Sequence, residues 1–430
     1  MSLSKKRAVR WNQYVFIVFY RMLFFPVFIL LLPYYCLRML KRGGYACHFF
    51  HRFGFVPKNK KNTPILWIQA VSVGELEALK PLLEQLKQRH QSVYLTTTTS
   101  TGFAIAQKKY SEWVDYIAYF PLDFWVFSVL TWGRIKPKKV ILMESELWPE
   151  HLFQAYKRSV PVYLINARCS DRAFARYRMC PWIAKTCMQF LTKILASGEL
   201  DAQRFQFFCT DKKVKLVGNL KIDAAVSTLR STHSNLLRQD LGSSWQNATI
   251  LLGASTWDGE EEMLIRFYKK AFTSLPCLKL ILVPRHVERT DAIERILKHY
   301  DLCYCLRTQP VKDTAVMLVN TTGELKNFVA LADLVFVGKS LDPNFGGQTP
   351  IEAAAFGKPI VYGPHMENFR TLCTGLEKQG GAVRCADVHA VEKQLFYWLE
   401  NPKEAQVFGT AAQQWIYKNK GALTRILAEL

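Results

Sequence analysis

Two stretches of this chain begin alike, and that repetition limits the fold more than any other feature. ILWIQAVSVGELEALKPLL starts at Ile65 and ILLGASTWDGEEEMLIRFY at Ile250. Each is an apolar run, a small-residue turn containing Ser, a Gly-Glu pair and an amphipathic stretch. After each, runs of strand length keep alternating with helical periodicity. Residues 65–71, 93–97, 140–143, 160–165 and 194–196 read as parallel strands of a first half. Residues 250–253, 278–283, 316–319, 334–337 and 359–362 do so in a second, and stretches such as 75–90 and 260–272 read as helices between them. Such alternation implies an α/β chain with parallel sheets covered by helices on both faces. The expectation is two doubly wound, Rossmann-like domains facing a cleft, with ligands at the carboxyl ends of the strands. At 430 residues the chain is long enough for two cores. The expected division is an anchor over 1–43, a first domain over 44–223, a polar linker over 224–247 and a second domain over 248–430. The final helix can pack back on the first domain.

The anchor is residues 14–37, YVFIVFYRMLFFPVFILLLPYYCL, in which only Arg21 is charged. About 20 apolar residues cross a bilayer. The run is too long for a signal peptide and lacks an obvious small-residue cleavage site. Arg21 and Pro26 also permit a helix lying in the interface. The net charge of +22, from 57 basic and 35 acidic residues, calls for an anionic partner. The basic residues are spread along the chain without a nucleic-acid-binding signature, so a membrane surface and anionic substrates fit better than nucleic acid. Eleven cysteines without CxxC spacing suit reduced thiols rather than disulfides or zinc.

The candidate chemistry sits in turns after strands. In Ser72-Val73-Gly74-Glu75, Ser and Glu have capping-box spacing. The spacing alone favours the capping box; the functional reading makes Glu75 a general base, which the helix start is expected to hold ionised. Glu144 and Glu146, with Trp148, suit sugar hydroxyls and a ring face, or a helix start rich in acid with a core Trp. Arg168 suits an anionic acceptor, and Lys221 lies in GNLKID near the domain junction. In the second half, Pro284-Arg285 and Thr322-Gly323-Glu324 end strands. Arg285 reads as a phosphate ligand or a surface ion pair, and Glu324 as part of an anion site or a helix-start charge. The loop with Gly346 and Gly347 leads to a helix PIEAAAFG, with Thr349 as its cap, Pro350 first, then Ile351 and Glu352. Glycines and a helix N-terminus suit a nucleotide phosphate, and Glu352 a ribose. There is no GxSxG, Walker A or HExxH, and no histidine cluster with metal spacing.

In order along the chain, AVSVGE, ESELWP, NARCSDR, GNLKID, PRHVER, TTGEL, GGQTPIEAAAFGKP and GPHMENF resemble the 3-deoxy-D-manno-octulosonic acid (Kdo) transferases of lipopolysaccharide assembly. The missing motifs point to metal-independent transfer between bound substrates, with no cofactor, and the resemblance implies a GT-B fold and an inverting glycosyltransferase. It implies transfer of Kdo from CMP-Kdo to a lipid A precursor (lipid IVA), at the cytoplasmic face of the inner membrane. It makes Glu75 the proton acceptor. It puts Pro284, Arg285, Thr322, Gly323, Glu324, Thr349, Pro350, Ile351 and Glu352 on CMP. Ser72, Gly74, Glu144, Glu146, Arg168 and Lys221 are left as candidates for the acceptor side. The family pattern usually has His at the positions of Gln69 and Trp257, and GGHNP where this chain has GGQTP. Gln348 and Thr349 therefore replace His and Asn. Another GT-B enzyme with a UDP-sugar donor, or a membrane-tethered nucleotide-sugar-binding module, is the alternative.

Overall fold

The computed structural model describes residues 9–42, 48–60, 63–231, 238–309 and 313–430. The chain forms two units, Met1–Ala224 with Gly421–Leu430, and Ala225–Lys420.

The first unit contains β1 (Ile65–Ala70), β2 (Ser92–Thr97), β3 (Tyr116–Tyr119), β4 (Lys139–Met143), β5 (Val162–Ala167), β6 (Lys193–Ala196) and β7 (Val214–Leu216). They form one parallel sheet in the order β3-β2-β1-β4-β5-β6-β7. All six residues of β1 are buried, as a central strand covered on both faces requires. Trp67, Tyr94, Phe120 and Trp132 pack on one face. Ile68, Leu76, Leu79, Leu83 and Leu95 pack on the other. The helix Ala422–Glu429 belongs to this second layer through Ile426, which is fully buried. The Asp223 carboxylate fixes its start, accepting from the N–H groups of Gly421 (2.8 Å) and Ala422 (2.9 Å).

The N-terminal helix Trp11–Arg42 presents a stripe of buried and half-buried residues at helical spacing, Gln13, Phe16, Ile17, Tyr20, Arg21 and Phe24. Phe16 and Ile17 join the core of the first unit. Most of its other described side chains are exposed.

The second unit contains β8 (Thr249–Thr256), β9 (Leu278–Pro284), β10 (Tyr304–Leu306), β11 (Val316–Leu318), β12 (Leu334–Val337), β13 (Ile360–Tyr362) and β14 (Val383–Arg384). Its parallel sheet runs β10-β11-β9-β8-β12-β13-β14. Both sheets reverse direction beside their first strand, at β1/β4 and β8/β12, and that crevice is where doubly wound sheets take ligands.

Three details differ from the sequence expectation. Strands β3, β7, β10 and β14 were not expected. The helix Leu220–Ser231 runs into the segment expected to be a polar linker from 224. The helix after the glycine loop is only Ile351–Ala355, with Pro350 rather than Thr349 at its cap.

Candidate functional site

In the first unit the crevice is lined by the turns after β1, β4 and β5. Ser72 caps the helix Val73–Gln88, accepting from the Glu75 N–H at 3.4 Å. Glu75 reaches back and accepts from the Val71 N–H at 2.9 Å, one residue before the position a capping box uses. The turn after β4 holds Glu144 with φ +54 and the turn in β5 holds Asn166 with φ +49, both in the left-handed region. Asn166 is fixed by accepting from the Leu220 N–H at 2.9 Å, which ties the GNLKID turn to β5. Lys221, next along, lies 2.7 Å from Glu144 Oε1. Arg168 Nη1 lies 4.0 Å from Glu144 Oε2. Glu146 accepts from the Trp148 indole N–H at 2.7 Å.

Glu75, Glu144, Glu146, Arg168 and Lys221 therefore share one electrostatic neighbourhood at the β1/β4 crossover. Its centre is Glu75, only 8% exposed. Burial, then the charge of Glu144 and more weakly that of Glu146, push its carboxyl up to about 8, while the Val71 N–H and Lys221 pull against them. The expectation that the helix start keeps Glu75 ionised is overturned. A helix N-terminus favours a carboxylate by about 0.3–1 kcal/mol. The rise from 4.5 to about 8 corresponds to roughly 4–5 kcal/mol. Burial also lifts Glu146, to about 7. Such a group takes and returns protons near neutral pH, which is what general acid–base chemistry needs. Gly74 precedes Glu75 in the first turn, and a Cβ there meets nothing nearer than Ser72 Oγ at 4.0 Å.

In the second unit Pro284 ends β9, and the exposed Arg285 follows it, its N–H donating to the Thr256 carbonyl at 3.0 Å. Thr322 and Gly323 are exposed in the turn after β11, with Gly323 at φ +87. Glu324 is less free than the sequence implied. It accepts from Arg307 at 3.2 Å and from the Thr321 hydroxyl. Thr349 accepts from the Ile351 N–H at 3.3 Å. Ile351 is buried and Glu352 half-buried in the five-residue helix.

Two residues outside the expected set organise this end of the sheet. Glu260, 1% exposed, accepts from the N–H groups of Trp257 (2.9 Å), Lys339 (2.8 Å), Ser340 (2.8 Å) and Leu341 (3.2 Å). It thus binds the turn after β8 to the loop after β12. The signal for it was the Gly-Glu pair that both halves share. Lys339 places its ammonium 4.4 Å from the Trp257 ring centre, and Trp257 meets His286 edge-on at 5.0 Å. One position where the chain departs from the family pattern is held by hydrogen bonds at both amide atoms. Gln69 is buried, donating to Thr98 Oγ1 (2.9 Å) and accepting from Thr96 Oγ1 (2.6 Å).

A family model described as 3-deoxy-D-manno-octulosonic-acid transferase (kdotransferase) matches residues 47–224. Over 410 residues the chain is 32% identical to the 3-deoxy-D-manno-octulosonic acid transferase of Haemophilus influenzae, covering 93% of this chain and 94% of that one. It is 31% identical over 386 residues to the Bordetella pertussis transferase of the same name, covering 85% and 86%. The solved structure of S. aureus MnaA with UDP matches in fold with a TM-score of 0.59 at 13% identity, over 85% of this chain and 95% of that one. That likeness speaks to the GT-B fold alone.

Proposed function

We propose, for a chain that belongs to the 3-deoxy-D-manno-octulosonic acid transferase family and is a glycosyltransferase of lipopolysaccharide biosynthesis, that it moves Kdo from CMP-Kdo to a lipid A precursor with inversion, using Glu75 as base. The observation that carries this reading is the Glu75 carboxyl, buried at the β1/β4 crossover and held near 8 beside Glu144 and Glu146. An acceptor hydroxyl gives its proton to Glu75 while its oxygen attacks the anomeric carbon, and CMP leaves with the bonding electrons. Arg168 and Lys221 are the cations on the acceptor side, suited to the phosphates of a lipid A precursor. On the donor side, Arg285 and the turns at Thr322–Gly323 and Thr349–Glu352 hold CMP, with Glu352 toward the ribose. Arg285 supplies the charge that stabilises the leaving phosphate.

Glu324, already engaged by Arg307, contributes by shaping its turn rather than by direct charge. Lys339, beside Trp257, is a further cation at the same strand ends. The apolar N-terminal helix supports membrane attachment, and the inner membrane with both units on its cytoplasmic side is the site that a lipid A precursor and CMP-Kdo require. The test is product mass. Purified full-length protein is incubated with lipid IVA and either CMP-Kdo or UDP-sugars. The expected product is the lipid carrying Kdo. A UDP-sugar adduct, or donor binding without any adduct, would reject the reading.

A further inference from the structure

We propose that the N-terminal helix does not cross the membrane but lies along its surface, seating the first unit on an anionic bilayer; this rests on the membrane attachment proposed above. Trp11–Tyr34 is apolar enough to span, with a mean hydropathy of 2.5. Its first half is nevertheless already docked. Arg21, its one charge, forms a two-pronged ion pair with Glu150, at 2.8 and 2.9 Å, and Glu150 is fully buried in the first unit. The Tyr20 hydroxyl donates to Asp123 at 2.8 Å, and Gln13 donates to Gln189 at 3.2 Å. A crossing would carry these buried acids of the folded unit into the hydrocarbon with the helix, at a cost that forbids it.

The chain's path gives the same answer. Its last ring contact with the folded unit is Phe25 on Phe124, at 6.1 Å, and it is fixed to that unit again at Phe49–Phe53, where Arg52, 4% exposed, donates to the Phe120 carbonyl at 2.9 Å. Both ends of the excursion lie on one body, so one crossing is topologically excluded. Two crossings do not fit either. The helix from 25 to 42 rises about 27 Å, and the six steps from 42 to 48 reach back only about 20 Å, short of a hydrocarbon core about 30 Å thick.

From the docked stripe, a chain of aromatic rings runs onto the folded unit. Phe24 stacks on Phe124 at 5.3 Å, Phe124 meets Phe127 at 5.6 Å, and Phe127 meets Phe53 at 5.2 Å. Met22 and Leu30 of the helix and Phe50 and Val126 of the folded unit are 73%, 79%, 69% and 50% exposed. An apolar face of this extent marks a binding surface. The charge says which. Residues 1–74 contain 12 Lys and Arg and no Asp or Glu, which suits anionic headgroups around an in-plane helix.

The test uses the full chain, with protease-cleavable tags before Met1 and after Leu430, in cytoplasmic-face-out vesicles from a Gram-negative host. Both tags are expected to be cut equally without detergent. An N-terminal tag protected until detergent is added, with the C-terminal tag cut, overturns the in-plane helix and leaves membrane attachment standing. A chain that does not sediment with vesicles overturns the attachment itself. In a second arm, the Val126→Asp/Val129→Asp variant, with its Kdo transfer to detergent-dispersed acceptor verified, is expected to bind phosphatidylglycerol-containing vesicles at least tenfold more weakly. Unchanged binding contradicts the proposed surface.

Discussion

Glu75 is third in its helix and its carboxyl lies near 8, so its hydrogen bond to the Val71 N–H and its work as a base use the same oxygens. A base must be deprotonated to accept. Transfer should therefore rise with pH and level off above about 8, as read from kcat/KM against pH. The neighbours give the sign of two variants. Lys221 favours the ionised form, so Lys221→Ala should move the acid limb to higher pH. Glu144 opposes it, so Glu144→Gln should move the limb lower. Shifts in the opposite senses would remove Glu75 from the rate-determining ionisation. From the sequence, Ser72 and Glu75 were legible as a pair: Ser72 caps the helix as its spacing implied, while Glu75 reaches the Val71 N–H, one residue before the capping-box position. The proton affinity was not legible. It depends first on burial and then on the charges of Glu144 and Glu146, which the pairing of β1 with β4 brings alongside.

The ten strands foreseen from apolar runs are the inner ten of the two sheets. The four missed, β3, β7, β10 and β14, are the four edges. They have four, three, three and two residues, and only partial burial, so they leave no apolar run to read. The helix after the glycine loop was overestimated for a related reason. PIEAAAFG has the composition of a longer helix, but the turn at Gly357, φ +67, closes it after Ala355. Glu260 is the element-scale counterpart of Glu75: the same place after the first strand, used to fasten a loop. Glu260→Gln would turn an amide N–H toward backbone donors that need an acceptor. It should cost about 2–4 kcal/mol in chemical denaturation and weaken donor binding. Full stability in that variant would show that the four contacts are dispensable.

At the scale of the molecule, the chain returns to its first unit for its last ten residues. Ile426→Ala, deep in that unit's core, should cost about 2–5 kcal/mol, read as a lower denaturation midpoint. A neutral result would mean that the final helix adds nothing to the fold. The positive charge was legible from composition, and so was the apolar N-terminus. The docking of that helix was not, because Glu150, Asp123 and Gln189 lie far along the chain from the residues they hold. The most direct test of the whole account is Glu75→Gln, measured for Kdo transfer from CMP-Kdo to lipid IVA and, separately, for CMP-Kdo binding. Gln can still accept from the Val71 N–H but cannot take a proton. The account predicts wild-type folding and donor affinity with transfer lowered by about 10²–10⁴-fold. Near-normal turnover in that variant would contradict it.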